Sequence, residues 1–420
     1  IRYGIPRMPL NDHIFYNHDG LEHDYTLDHH LAHVFANFKS NTIAPAVVID
    51  GAGSGRNTGL YINSEGTNRL RDLSIGRCYS RLYSWVVKKF DDIAGGGAGK
   101  VMGLVAYGNT DKSIVDALSS DPYTYEESLY KFLDGDKQHL EGQRDNQEVW
   151  DIVASVHEAS YKVMKETIFN NMSKDEEFIY TGGRPLNIDW TRRLVDEGYK
   201  MYLEPAVDDS CLSLGCLRFG CEVMGVVMPE FPNFPYIEDD EAPDRVPSDS
   251  TINAVAERLA RGEIVGWYQG NGEIGPRALG NRSILMRPDL KDGKDTINQR
   301  VKHREWWRPF GASVKQEKAG EYFDVEDSPY MLYSCNVKRD DLYSITHADN
   351  TCRPQTVTEK QNEAYYRLLD RFEKITGLPV LLNTSLNLGG KPIVGTLEQA
   401  REVLNNTELD ALCVGDDTYE

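Results

Sequence analysis

The spacing of apolar residues divides the chain into short strands and amphipathic helices. The β-branched run AVVI after Pro45 leads into the acidic, glycine-rich DGAGSG, and this predicts a strand over 45–49 ending in a turn at Gly55. From Val149 to Asn170, apolar residues recur at helical spacing through Ile152, Val153, Val156, Tyr161 and Met164, and the following EEFIYTGG reads as strand then loop. Leu212 to Val223 reads as a packed helix. DSTINAVAERLARGE opens on Asp and Ser caps and places Ile252, Val255 and Leu259 on one face, so it predicts an amphipathic helix, with the strand IVGWYQ directly behind it. The helix EAYYRLLDRFEKITG, the strand PVLLN and a helix from Leu397 to Asn405 complete a mixed α/β pattern. Gly95 to Gly108, GGGAGKVMGLVAYG, carries too many glycines for a regular element and predicts a loop where backbone is closely approached. The stretch 228–250, MPEFPNFPYIEDDEAPDRVPSDS, is rich in Pro and Asp without periodicity and predicts an inter-domain connection, giving domains 1–237 and 248–420.

Composition narrows the class. The chain has 420 residues, 40% apolar and 27% charged, which excludes a disordered or fibrous protein and leaves room for more than one core. No apolar run reaches the ~20 residues of a membrane span and no leader pattern is visible, so the expected setting is cytoplasmic, with no membrane partner. The opening IRYGIPRMPL lacks an initiating Met, so the sequence is expected to begin inside a longer protein. Seven cysteines, none paired at the two-residue spacing of a zinc knuckle, fit a reducing compartment. Cys211, Cys216 and Cys221 lie in the apolar CLSLGCLRFGC and read as a buried small-residue helix in preference to a metal site. With 46 basic against 66 acidic residues the formal net charge is −20, which opposes general affinity for nucleic-acid backbones but allows a local basic pocket.

Three constellations carry candidate chemistry. In DHHLAH, His29 and His33 are four apart and share one helix face, as metal ligands or as part of a histidine-rich surface helix. A metal would need a carboxylate as well, with Asp50 and Asp209 as candidates. The glycine segments GKVMGLVAYG and YTGGRPLN place Gly103, Gly182 and Gly183 where backbone N–H groups can approach phosphate, with Lys100 as an added cation; plain tight turns are the alternative. Third, GPRALGNRS and NQRVKHREWWRPF concentrate Arg277, Arg282, Arg300, Lys302, Arg304 and Arg308 in an acidic protein. Guanidinium forks match phosphate or carboxylate oxygens, and Trp306 and Trp307 can exclude water; Arg353, Asn383, Thr384, Ser385 and Asn387 offer further donors. A solvated basic face paired with surface acids is the alternative.

In this order, DHHLAH, VVIDGAG, GKVMGLVAYG, TGGRPLN, PAVDDSCLSLG, GWYQGNGEIGPRALGNRSIL, INQRVKHREWWRPF, SPYML, HADNTCRPQTV and PVLLNTSLNLGGKPIV resemble the NodU/CmcH family of O-carbamoyltransferases, from about His29 to Val394. The resemblance implies an actin/sugar-kinase-like ATPase N-terminal domain and a YrdC-like α/β C-terminal domain. It implies that carbamoyl phosphate and ATP are joined into carbamoyl-adenylate and that an acceptor hydroxyl then takes the carbamoyl group. His29, His33 and Asp209, with Asp50 as a further ligand, would hold a divalent metal, iron or zinc, and Mg would accompany the nucleotide. Gly182, Gly183 and Asn187 would hold the adenylate, beside Lys100 and Gly103 of the first glycine segment. Arg277, Lys302, Arg308, Arg353, Asn383 and Ser385 would line the carbamoyl phosphate pocket, with Lys302 and Arg308 also in catalytic roles alongside His29, His33 and Asp209.

The sequence departs from the family at three places. The opening strand and first phosphate hairpin have no counterpart after Ile1, DDSC replaces a glycine-rich turn and leaves Asp208 competing with Asp209, and Arg184 and Pro185 stand where small apolar residues are usual. His30 is the only guess for a general base. The acceptor is left open between a small natural product, a hydroxymethylated nucleotide and a DNA base, and oligomeric state is not written in the pattern. A tRNA threonylcarbamoyl-type transferase and a non-catalytic nucleotide- or anion-binding regulator are the competing readings.

Overall fold

The computed structural model describes residues 14–16, 25–37, 45–51, 59–63, 66–69, 75–89, 98–140, 146–238 and 241–420. They begin with an antiparallel ribbon, β1 (Ile14–Tyr16) and β2 (Tyr25–Leu27), and the short helix α1 (His29–Phe35). Asp28 caps α1 by accepting from the N–H groups of His30 and Leu31 at 3.0 and 3.2 Å, which fixes where the helix starts and so which way its histidines face. The β-branched run forms β3 (Ala46–Ile49), every residue of it buried. The end of its turn, 52–58, lies outside the described residues. Strands β4 (Gly59–Asn63) and β5 (Gly66–Arg69) continue from β3 as an antiparallel meander.

A helical layer follows: α2 (Ile75–Lys89), α3 (Ala98–Val105), α4 (Lys112–Ser119), α5 (Tyr125–Tyr130) and the long α6 (Gln147–Thr167). The helix α3 corrects the loop expected over Gly95 to Gly108, of which 95–97 lie outside the described residues. Val101 and Leu104 are fully buried, and α3 packs on α6, so burial overrides the poor helix propensity of its glycines. Close approach does hold at Gly108, where a Cβ would lie 2.0 Å from the Trp150 carbonyl oxygen. Next come β6 (Phe178–Thr181), α7 (Ile188–Asp196), β7 (Met201–Tyr202) and α8 (Leu212–Met224). Strands β6 and β7 add in parallel beyond β3, giving the sheet order β5-β4-β3-β6-β7. The expected burial of the cysteines holds only in part: Cys211, in the turn ahead of α8, is buried and Cys216 in α8 is exposed.

The chain divides into compact units Ile1–Glu230 and Phe231–Glu420. The Pro/Asp-rich stretch expected as a connection is anchored within the second unit, where the Tyr236 hydroxyl donates to the Leu279 carbonyl at 2.8 Å and Arg245 pairs with Asp417 at 2.7 Å. That unit contains α9 (Asp249–Ala260), β8 (Val265–Tyr268), β9 (Arg282–Met286), α10 (Gly293–Ile297), β10 (Gly311–Lys315), α11 (Ala319–Tyr322), β11 (Cys335–Asn336), β12 (Thr351–Val357), α12 (Glu363–Thr376), β13 (Val380–Ser385), α13 (Leu397–Asn406), β14 (Ala411–Val414) and β15 (Asp417–Tyr419). Its strands form one mixed sheet in the order β11-β12-β10-β13-β9-β8-β14-β15. The helices α9 and α12 pack together, burying Ile252, Val255, Leu259, Leu368 and Phe372 against the sheet. Ser248 caps α9, Asn362 caps α12, Gly377 ends α12 at φ +77°, and Thr396 with Gln399 forms a capping box on α13. The mixed α/β class expected from the pattern is therefore observed. No helix among the described residues is long and apolar enough to cross a membrane.

Candidate active site

Three elements of the first unit place four side chains together. Spacing of four residues puts His29 and His33 on one face of α1, with ring centroids 4.9 Å apart. Asp50 follows the buried end of β3, and Asp209 begins the 3₁₀ turn ahead of α8. Asp208 is committed to capping that turn through the Ser210 N–H at 3.2 Å, which leaves Asp209 to face the histidines. His29 Nε2 lies 2.9 Å from Asp50 and 3.5 Å from Asp209; His33 Nε2 lies 3.2 Å from Asp209 and 3.9 Å from Asp50. One donor atom from each residue falls within 4.8 Å of all the others. Helix α8 presses onto α1 at Gly215, where a Cβ would lie 1.9 Å from the Ala32 carbonyl oxygen.

Electrostatics match this geometry. Burial works to raise the Asp50 pKa, but the hydrogen bond from His29 and the neighbouring His33 imidazole outweigh it and hold the carboxyl well below its usual range. Burial works to lower the His33 pKa, and Asp209 and Asp50 outweigh that and raise it. His33 is 0% exposed, and neither of its ring nitrogens makes a hydrogen bond of acceptable angle. A buried imidazole with unused nitrogens beside two carboxylates fits a divalent cation better than it fits an ion-pair network. His30, the guessed base, points into the core at 1% exposure, and burial pulls its pKa down to about 4.

The second glycine segment lies against this cluster. Gly182 and Gly183 adopt φ values of +92° and +76°. A Cβ on Gly182 would fall 2.6 Å from Val48 Cγ1, and one on Gly183 would fall 3.0 Å from Asp50 Oδ1. Their N–H groups both donate to the Val207 carbonyl, at 3.1 and 2.6 Å, so these amides join β6 to the Asp209 segment. Asn187 caps α7 by accepting from the Trp190 N–H at 3.3 Å, and its buried Nδ2 makes no hydrogen bond. Arg184 is buried with its guanidinium 4.9 Å from the Tyr79 ring and 5.4 Å from the Trp190 ring. Lys100 and Gly103 lie in α3.

In the second unit the basic run separates into structural and site-forming residues. Arg282 stacks 3.7 Å from the Tyr268 ring centroid and donates to the Gln269 and Gly270 carbonyls, and Arg300 pairs with Asp410 and Glu408, so both serve the fold. Lys302, Arg304, Arg308 and Arg353 converge. Burial, then the charges of Arg304 and Arg308, holds the Lys302 pKa well below its ordinary value; burial, then Arg308 and Arg353, does the same to Arg304. The Arg353 pKa falls to about 10, chiefly through burial. Arg308 reaches Glu305 at 3.3 Å. Lys302 is 4% exposed and donates to the Ser385 carbonyl at 2.8 Å and to Asn387 Oδ1 at 2.6 Å, which also accepts from the Ser385 hydroxyl. Asn383 donates to Ser313 Oγ and the Ala278 carbonyl within a buried network. Arg277 sits half-buried on the loop between Glu273 and Arg282, which buried Glu273 braces by accepting from the Asn281 and Arg282 N–H groups, each at 3.3 Å. Trp307 is buried and Trp306 is exposed, so only one of the pair can wall the site. Glu305 and Glu273 are not singled out by sequence, and Arg304 only as one cation of the basic run; the cue for Glu305 is its place inside KHREWWR, between Lys302 and Arg308.

Residues 21–217 match the family described as Carbamoyltransferase N-terminus, and residues 256–420 match Carbamoyltransferase C-terminus. The chain belongs to the carbamoyltransferase family. Among its relatives in that family, nodulation protein NolO of Bradyrhizobium diazoefficiens is 33% identical over 75% of this chain and 64% of its own length. Nodulation protein NolNO of Sinorhizobium fredii is 31% identical over 93% of this chain and 63% of its own. The 3'-hydroxymethylcephem-O-carbamoyltransferase of Streptomyces clavuligerus is 30% identical over 82% of this chain and 69% of its own. This carbamoyltransferase chain thus spans a little under two thirds of the two nodulation relatives.

Proposed function

We propose that the protein is an ATP-dependent O-carbamoyltransferase. In the second unit water cleaves carbamoyl phosphate to carbamate and phosphate, and a carbamate oxygen displaces pyrophosphate from the α-phosphorus of ATP to give carbamoyl-adenylate; an acceptor hydroxyl then takes the carbamoyl group in the first unit, losing its proton, with release of AMP. The observation that carries this reading is the convergence of Lys302, Arg304, Arg308 and Arg353 in an acidic protein, where Glu305 is the carboxylate paired with Arg308. So much partly buried positive charge calls for a small polyanion. A carbamoyl carbonyl is a poor electrophile because its nitrogen donates into it, so exchange of phosphate for AMP makes attack feasible.

His29, His33, Asp50 and Asp209 would hold a divalent ion, iron or zinc by donor type. When bound, that ion supplies Lewis-acid polarisation of the carbonyl or of the incoming hydroxyl. The four side chains orient the acceptor, and Asn187 and the Gly182–Gly183 turn, with α3 bearing Lys100 and Gly103, would bound the adenylate. Mg would accompany ATP. Arg277, Asn383 and Ser385 would complete the donor pocket. The antiparallel meander β3-β4-β5 extended by parallel strands supports an actin/sugar-kinase-like first domain, and the large mixed sheet supports a YrdC-like second one. The acceptor is a hydroxyl of a small natural product or a hydroxymethylated nucleotide; the net charge of −20 disfavours duplex DNA.

Radiolabelled carbamoyl phosphate with ATP tests the scheme. Pyrophosphate release without an acceptor is expected, abolished in Arg308→Ala and retained in His33→Ala, while His33→Ala blocks transfer to an alcohol panel read by mass spectrometry. Equal loss of the first step in both variants would contradict the two-site assignment. Anion binding without turnover would make the protein a regulator, and turnover only with threonine and bicarbonate would make it a threonylcarbamoyl-type enzyme.

A further inference from the structure

The turn that carries the cations is built in an unusual way. Helix α10 ends in a π-helical turn, Asn298–Lys302, closed by His303 at φ 45° and ψ 45°, a left-handed conformation that side chains other than glycine seldom adopt. His303 is exposed, and the residues on either side of it are drawn inward. The reversal sends Lys302 to the end of β13, at Ser385 and Asn387, and Arg304 back beneath the segment that leads into β10. There the Arg304 guanidinium lies 3.9 Å from the centre of the Phe310 ring and donates through Nη2 to the Pro309 carbonyl at 2.9 Å. Both partners immediately follow Arg308. Arg304 therefore clasps the two residues that set the backbone direction of Arg308, and the Glu305 side chain next to it pairs with Arg308 at 3.3 Å.

This clasp is made by a cation among cations. Arg308 and Arg353 act on Arg304, and Arg304 in turn acts on Lys302 and on Lys294 in α10. Placing a guanidinium at that centre is unfavourable unless its shape is needed there, because any apolar residue could fill the space without the repulsion. Planarity is what a lysine lacks: a guanidinium can stack on Phe310 and donate in its own plane at the same time.

We propose that Arg304 is a positioning residue for the anion site, clasping Pro309 and Phe310 so that Arg308 is held toward the anion despite the repulsion among the neighbouring cations. The proposal rests on the carbamoyl phosphate reading for the identity of the anion, and its test separates the two. Titration calorimetry compares wild type, Arg304→Lys and Phe310→Leu, with carbamoyl phosphate and with inorganic pyrophosphate as a donor-neutral probe. Both variants keep every positive charge, so the expected loss of about tenfold in affinity for either anion measures position and not charge. In the pyrophosphate-release assay the KM for carbamoyl phosphate rises by a similar factor while the KM for ATP and the thermal midpoint stay near wild type. Wild-type affinity in Arg304→Lys overturns the proposal, as does a wild-type protein that binds neither anion. If wild type binds pyrophosphate but not carbamoyl phosphate, the donor reading fails, and Arg304 is judged by the same comparison on pyrophosphate. Should Arg304→Lys fail to fold, unchanged affinity in Phe310→Leu is enough to reject the clasp.

Discussion

At the scale of single residues, adjacent acids do different work. Asp208 and Asp209 are indistinguishable in composition and in the DDSC motif, yet one spends its carboxylate on the Ser210 N–H while the other lies 3.2 Å from His33. Spacing alone revealed the histidine pair because a four-residue interval forces two side chains onto one helix face. It could not choose between the acids, since that depends on which of them caps a turn. Removing one of the four proposed metal ligands should exceed the 10- to 100-fold loss typical of an outer-shell change, so Asp209→Asn is expected to weaken zinc affinity by more than about 100-fold. Asp208→Ala removes only a local cap and should leave affinity within about threefold, at a stability loss of about 1 kcal/mol. Metal content after dialysis against a graded chelator checks both; equal losses would mean that the two acids share the ion. The same limit applied to Arg304, which the sequence presents only as one more cation in a basic run.

At the scale of elements, strands and amphipathic helices were legible where burial follows a period. The runs AVVI and PVLLN became β3 and β13, and Ile252, Val255 and Leu259 do face the core from α9. The segment that became α3 was not legible, because Val101 and Leu104 are carried by glycines that disfavour a helix and only contact with α6 decides the matter. Packing between elements also carries function. Gly215→Ala on α8 adds a methyl where the Ala32 carbonyl of α1 lies 1.9 Å away, so the two helices must part and Asp209 must move away from His29 and His33. Zinc affinity should fall at least about tenfold although no ligand is altered, whereas Gly220→Ala, with open space around it, should leave affinity unchanged and raise helix stability by about 1 kcal/mol. In the second unit, Asp416 ties the β14–β15 turn to the start of α9 through the Thr251 hydroxyl and the Ser248 N–H. These bonds lower its pKa to about 2. A depressed folded-state pKa means stability that is present above the unfolded value near 3.8 and lost as pH falls through about 2. Asp416→Asn should therefore lower the urea midpoint at pH 7, and the gap to wild type should close between pH 4 and pH 2.

At the scale of the whole molecule, the substrates proposed above are anions and the protein is acidic. A net charge of −20 would repel carbamoyl phosphate and ATP at long range, and the cations proposed to attract them are partly buried and act at short range. The two contributions respond differently to salt. Raising ionic strength from about 10 mM to about 100 mM shortens the screening length from about 30 Å to about 10 Å, which removes most of the distant repulsion and leaves a buried cluster little changed. For a basic patch open to solvent, KM for carbamoyl phosphate would rise steeply over that range. For the site formed by Lys302, Arg304, Arg308 and Arg353 it should fall or stay within about twofold of its low-salt value, because relief of the global repulsion offsets the modest screening at the pocket. Initial rates of pyrophosphate release in potassium chloride, repeated in potassium acetate to separate screening from anion competition, measure this directly. A several-fold increase in KM in both salts would place the anion at an exposed surface instead.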